Sequence, residues 1–220
     1  MSPRRIYETE LKELKGNVEG MGVSVQATYM RLFAALKQKD AQTLEEIAKC
    51  DRDVHNMQRK IEGECLNLIT KQQPIARDLR QVTASLKVTA DVSRIGEMCV
   101  DIAELLLRMG VKDITEYSAH LPELIEKTKL QVADAVTAFS DCSIRMASRV
   151  IEGDDTIDGL FNLVKDDLIA HLKNESKDPD ECVDTLMIDK YLEKIGDHAV
   201  NIAEWTLFQE SGEYKNVRIL

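Results

Sequence analysis

The chain has 220 residues and a formal net charge of −10, with 44% hydrophobic and 31% charged residues and only four Pro and ten Gly. That length buries a sizeable core, as one domain or two fused halves, and the acidic balance argues against nucleic acid and anionic membrane as direct partners, because both reward basic surfaces. No apolar run reaches the roughly 18 residues of a membrane span, the start MSPRRIYETELKEL lacks an apolar signal region, and five scattered cysteines (Cys50, Cys65, Cys99, Cys142, Cys182) without a C-x-x-C pair read as reduced thiols of a cytoplasmic protein.

The spacing of apolar residues predicts six helices. The first begins just after Pro3 and runs to about Lys37, on the stripe Leu11, Leu14, Val18, Met21, Val25, Thr28, Leu32, Ala35. Gly16, Gly20 and Gly22 weaken it by roughly 1 kcal/mol each relative to Ala and suit the close approach of a neighbour. Asp40 is a good N-cap for the second helix, which carries Leu44, Ile47, Asp51, Val54, Met57, Ile61, Cys65 and Leu68. Lys71-Gln72-Gln73 turns the chain, and Pro74 suits the first turn of the third helix, which runs to Met109 with Gly110 at its end.

Val111 to Leu121 reads as an irregular connector and sets the boundary between halves, 1–112 and 113–220. Pro122 opens the fourth helix (Leu124, Leu130, Ala133, Val136, Phe139). Asp141 is the expected cap of the fifth (Ile144, Ala147, Val150, Asp154, Ile157, Phe161, Val164, Leu168). After a turn at Asn174-Glu175-Ser176-Lys177, Asp178-Pro179 supplies an N-cap and first-turn proline for the sixth, which reaches about Glu210. The tail SGEYKNVRIL reads as loosely ordered, and no strand pattern appears. The expected class is all-α: two tandem antiparallel three-helix bundles.

Those bundles are related by internal duplication. DVSRIGEMCVDIAE (Asp91 to Glu104) superposes on YLEKIGDHAVNIAE (Tyr191 to Glu204), sharing Ile95-Gly96 and Ile102-Ala103-Glu104 with Ile195-Gly196 and Ile202-Ala203-Glu204. The apolar stripe repeats as well: Val92, Ile95, Cys99, Ile102 against Leu192, Ile195, Ala199, Ile202.

Beside the second stripe, Glu193, Asp197, Asn201 and Glu204 form a line of oxygens about one turn apart. Like charges at this spacing cost an isolated helix a few tenths of a kcal/mol, so the line wants a cation, either a metal or a lysine. Two further acids interrupt core stripes: Asp51 between Ile47 and Val54, and Asp154 between Val150 and Ile157. Hairpin arithmetic about Gln72 sets Asp51 level with Ser93, and about Ser176 sets Asp154 level with His198, beside Asp197. Carboxylates converging from two helices build hard-metal sites in bundles. Lys190, Lys194 and Arg94 each stand three residues before an acid, however, so plain ion pairs account for the line equally well. The residues leave both readings open.

The string YLEKIGDHAVNIAEW, together with QQPIARDLR (Gln72 to Arg80) before the first copy, closely resembles the PhoU family of phosphate-uptake regulators, over nearly the whole chain. The resemblance implies a cytoplasmic accessory protein rather than an enzyme. It implies negative regulation of phosphate uptake and of the phosphate-starvation response, by coupling the ATPase subunit of a phosphate ABC transporter to a membrane sensor histidine kinase, and a homodimer. It also implies metal clusters on an E/D-x-x-x-D motif in each half, often iron or zinc. Glu193 and Asp197 match that motif in the second half. The first half has Ser93 and Glu97 there, a departure, with Asp101 where Asn201 stands. The metal-ligand candidates are therefore Glu193, Asp197, Asn201 and Asp154, with Glu97, Asp101, Asp51 and Ser93 in the first half. An oxygen-rich set also tolerates Mn or Mg.

Two other readings compete. One is a metal-free helical adaptor with the same partners. The other is a di-metal carboxylate enzyme, which is disfavoured because none of His55, His120, His171 and His198 has the Glu three residues before it that such bundles use. No G-x-S-x-G or Walker loop is present. His198 reads as a surface or edge histidine, and Trp205 as core or dimer packing.

Overall fold

The computed structural model describes residues 3–49 and 51–219, and of residues 3, 4 and 51 the backbone alone; Cys50 lies outside the described residues. Helix α1 spans Pro3–Gln38 and buries Leu14, Val18, Met21, Val25, Tyr29 and Leu32 at three- and four-residue steps. Helices α2 (Ala41–Ala48), α3 (Asp51–Gln72) and α4 (Ala76–Arg108) complete the first half. A single 3-10 turn, Ile114–Glu116, lies in the connector, and Ile114, Tyr117 and Leu121 make that segment part of the core. The second half is α5 (Leu121–Asp141), α6 (Ile144–Glu152), α7 (Asp154–Lys173) and α8 (Pro179–Ser211).

The all-α class and the paired bundles are as the periodicity requires, with four local differences. The second and fifth expected helices are each two helices, broken at equivalent places. The fifth breaks at Gly153, the C-cap of α6, and α7 restarts with Asp154 and Asp155 in its first turn, where acids favour the helix dipole. Asp154 interrupts the apolar stripe because a new helix begins there. Asp141 does not cap α6. It ends α5, Cys142 follows in the left-handed region at φ 52°, and Ser143 caps α6 by accepting from the Met146 N–H. Helix α4 starts two residues after Pro74, with Ile75 as an N-cap that offers no side-chain hydrogen bond.

The tail is the fourth difference. Strands β1 (Glu213–Tyr214) and β2 (Val217–Arg218) pair antiparallel around Lys215 and Asn216, both at positive φ (48° and 62°), the geometry of a two-residue primed turn. Tyr214 stacks on Trp205 with ring centroids 4.1 Å apart, and Trp205 also meets Phe208 edge-on, so this tryptophan is core packing.

The motif helices α4 and α8 pack antiparallel along the centre. Arg108 Nε donates to Asp184 at 2.9 Å near one end, Asp91 meets Asn201 in the middle, and Arg80 donates to the Gln209 carbonyl at 3.0 Å at the other end. This register sets the duplicate positions Gly96 and Gly196 at the same level, so the halves are related by an approximate twofold axis there. A Cβ on Gly96 would come within 3.2 Å of Val54 on α3. One on Gly196 would come within 3.3 Å of Ile157 on α7 and 3.0 Å of Gln131 on α5. The shared glycines thus let each motif helix lie against its own bundle.

Of the cysteines, Cys65, Cys99 and Cys182 are buried free thiols and Cys142 is half-buried; burial pushes Cys65 and Cys99 up to about 12. No helix of the described residues is long and apolar enough to cross a membrane.

Candidate functional site

The oxygen line on α8 extends one turn further back than the motif suggests. Asp189, Glu193, Asp197 and Asn201 follow at four-residue steps, and a helix sets such residues on one face. Asp189 is fully buried, and neither of its carboxylate oxygens has a hydrogen-bond partner. Burial pushes its carboxyl up to about 8, with Glu193 adding to the rise and Lys190 and Lys165 opposing it. Sequence reasoning missed this residue because an acid between Ile188 and Lys190 looks like part of a charged face. The signal was its spacing of four from Glu193.

Lysines hold the next two carboxylates. Lys190 Nζ lies 2.8 Å and Lys194 Nζ 3.5 Å from Glu193 Oε2, and Lys194 also donates to Asp197 Oδ2. The hydrogen bond to Asp197 is the first cause that holds the Lys194 ammonium above its ordinary range. Asp154 reaches this line from α7. Its carboxyl is raised by burial first, then by the charges of Asp158 and Asp197, while a hydrogen bond with Gln131 on α5 opposes the rise. The antiparallel α7–α8 pairing therefore brings Asp154 and Asp197 into mutual range.

The first half is built differently. Ser93 is 1% exposed and its hydroxyl has no partner. Glu97 pairs with Arg94, and its other oxygen lies 4.0 Å from His55 Nδ1 on α3. Asp101 points the other way, to a hydrogen bond with Tyr191 across the α4–α8 seam. Glu97 and Asp101 are thus directed to different helices. The side chain of Asp51 lies outside the described residues.

His198 is a half-buried edge residue, and it is partnered. Its Nδ1 lies 2.8 Å from Asp91 Oδ1, which also receives Asn201 Nδ2 at 3.4 Å; Asn201 Oδ1 in turn accepts from the Tyr214 hydroxyl at 3.3 Å. This chain ties α4, α8 and the terminal hairpin together. Asn201 is consequently turned to the seam.

Carboxylate oxygens from two helices are the donor class a hard cation takes. As arranged, however, they do not make a ligand set: Lys194 fills the gap between Glu193 and Asp197, Asn201 is engaged elsewhere, and among the described residues no three His, Cys, Asp or Glu side chains gather closely enough to hold a metal ion.

A family model described as the PhoU domain matches the chain twice, over residues 18–106 and 121–206. The phosphate-specific transport system accessory protein PhoU homolog of Clostridium acetobutylicum is 29% identical over 211 residues, covering 96% of each chain. A Methanothermobacter thermautotrophicus protein, PhoU homolog 1 of the same description, is 27% identical and covers 94% of each. Among solved structures, the phosphate transport system regulatory protein PhoU from Streptococcus pneumoniae superposes with a TM-score of 0.87 at 26% identity, over 94% of this chain and 98% of that one.

Proposed function

The chain belongs to the PhoU family, and on that premise we propose that it is a non-catalytic negative regulator of a phosphate-specific transport system. It restrains phosphate uptake and the phosphate-starvation response by docking, on the cytoplasmic side, to the transporter's ATPase subunit and to a membrane sensor histidine kinase. The observation that carries this reading is the two-fold match to the family model, with relatives named as accessory proteins of that system aligned over nearly their whole length. The central α4–α8 seam supports it: charged and polar groups lock the halves into one body, as a scaffold between two partners needs. A net charge of −10 suits basic partner surfaces. The protein acts as a homodimer in this reading.

The test is in cells that contain the transporter and kinase. Loss of the gene should raise phosphate uptake and starvation-gene expression in phosphate-rich medium, and the purified chain should be captured by the ATPase subunit in a salt-sensitive complex. Unchanged uptake and expression in the deletion strain would overturn it.

A second reading, in which a divalent or trivalent cation joins the α8 line, is supported by Asp154, whose carboxyl is raised by burial first and then by the charges of Asp158 on its own helix and Asp197 on α8. It requires Lys194 to leave the gap it fills. The metal-free adaptor needs no such movement and is the reading the lysine contacts favour.

A further inference from the structure

At the end of the molecule where α1, α4, α5 and α8 meet, a cavity of about 240 Å³ is lined by Lys15, Arg77, Asp78, Gln81, Cys142, Gln209 and Glu210. Its donors outnumber its acceptors. Gln209 is 5% exposed; its Oε1 lies 3.7 Å from the Cys142 thiol, and its Nε2 is buried with no hydrogen-bond partner. A buried donor left without an acceptor costs about 1–3 kcal/mol, so a native structure that keeps one calls for an explanation.

Lys15 Nζ lies 4.0 Å from Cys142 Sγ and forms no salt bridge with a described carboxylate. The two acids are already engaged, Asp78 by the Tyr7 hydroxyl at 2.9 Å and Glu210 by Arg77. Arg77 and Asp78 belong to the first turn of α4, a 33-residue helix whose N-cap Ile75 supplies no side-chain acceptor. The uncapped N–H groups of such a helix start carry partial positive charge and favour anions.

We propose that this cavity is a binding site for a small tetrahedral oxyanion, held by Lys15 Nζ, Gln209 Nε2, the Gln81 amide and the start of α4. An oxyanion supplies several acceptors at once, which is what the unpaired Gln209 amide and the Lys15 ammonium, held here only by the Cys142 sulfur at 4.0 Å, lack. That the anion is inorganic phosphate rather than sulfate rests on the regulatory reading above; the site itself rests on its donors alone. It is separate from the α8 carboxylate line and gives the regulator a direct means of reading the anion whose transport it restrains.

Cys142 reports on occupancy. The full chain is titrated with sodium phosphate, sulfate or chloride at matched ionic strength, and alkylation of Cys142 by iodoacetamide is followed by peptide mass spectrometry. Phosphate should protect the thiol saturably, by about ten-fold at nine times the dissociation constant, since only the anion-free fraction reacts. Chloride should not protect. Lys15→Gln and Gln209→Met should each lose the protection while keeping the helical circular dichroism of the parent. Absence of saturable protection by either oxyanion, or protection that persists in both variants, overturns the site. Equal protection by sulfate overturns the choice of phosphate. Neither result bears on the regulatory reading, which depends on uptake and expression in cells.

Discussion

His198 and Asp91, 107 residues apart in the chain, meet at 2.8 Å across the seam between the two halves. Asp91 also receives Asn201, so a single carboxylate on α4 serves two α8 side chains one turn apart. Asp91→Ala strands both and should lower stability by about 1–3 kcal/mol. His198→Ala should cost less, because Asn201 keeps Asp91 partly satisfied. Denaturant unfolding of both single mutants and the double mutant gives the coupling. Strictly additive losses would show that the contact contributes nothing of its own.

Asp189 fixes a pH dependence. Its carboxyl is pushed up to about 8 in the folded chain from an ordinary value of 3.8. The charged form is therefore the one that folding disfavours: the group is no burden below about pH 4, and stability declines as pH rises towards 8. Asp189→Asn keeps the shape and removes the ionisation. It should be close to the parent at pH 4 and more stable at pH 8, on the order of 2–4 kcal/mol after allowing for relaxation around the lysines. Urea unfolding at the two pH values decides it. A variant equally destabilised at both would mean that Asp189 is stabilised by a partner in its charged form.

Asp154 separates the metal reading from the metal-free one. Asp154→Asn relieves repulsion with Asp158 and Asp197, so in chelator it should be as stable as the parent or more so. If a cation binds the line, Mn or Fe should raise the melting temperature of the parent with the logarithm of its concentration and do so less for the variant. If no cation binds, added metal moves neither. Equal destabilisation of Asp154→Asn with chelator and with metal would sink the ligand role of this residue.

Two glycines should respond in opposite directions. Gly196→Ala drives a methyl to 3.0 Å from Gln131 Oε1 and 3.3 Å from Ile157, and should cost about 1–3 kcal/mol. Gly20→Ala meets nothing within 4 Å in the exposed interior of α1, and should stabilise by up to about 1 kcal/mol. Thermal melts of the pair test the close approach of α8 to its own bundle; a neutral Gly196→Ala would remove it.

Periodicity made the class and the repeat legible, because Ile95, Cys99 and Ile102 or Ile195, Ala199 and Ile202 are buried by one mechanism, the apolar stripe. The helix breaks were not legible. Asp154 is compatible with either a helix interior or a helix start, and only the tertiary path around Gly153 decides. The hairpin stayed hidden because its two-residue strands show no alternation; what holds Tyr214 is Trp205, nine residues earlier on a helix. Within the candidate site, hairpin arithmetic places Asp154 near Asp197, since antiparallel register is local. The Asp91–His198 contact depends on how α4 crosses α8, which no spacing within either helix encodes.

The alignment of Gly96 with Gly196 has an evolutionary consequence. A chain of half this length, meeting its own copy through the same antiparallel crossing, would form a closed twofold dimer of the same shape. Joining the copies makes their encounter independent of protein concentration, and it also releases each position from having to serve twice. In a dimer of identical subunits, an acid at the place of Glu193 must appear on both sides of the axis. In the fused chain one side keeps Glu193 while the other holds Ser93, and Asp91 on one side corresponds to Tyr191 on the other. A duplicated chain can therefore carry two distinguishable faces where a dimer of identical subunits must carry two alike.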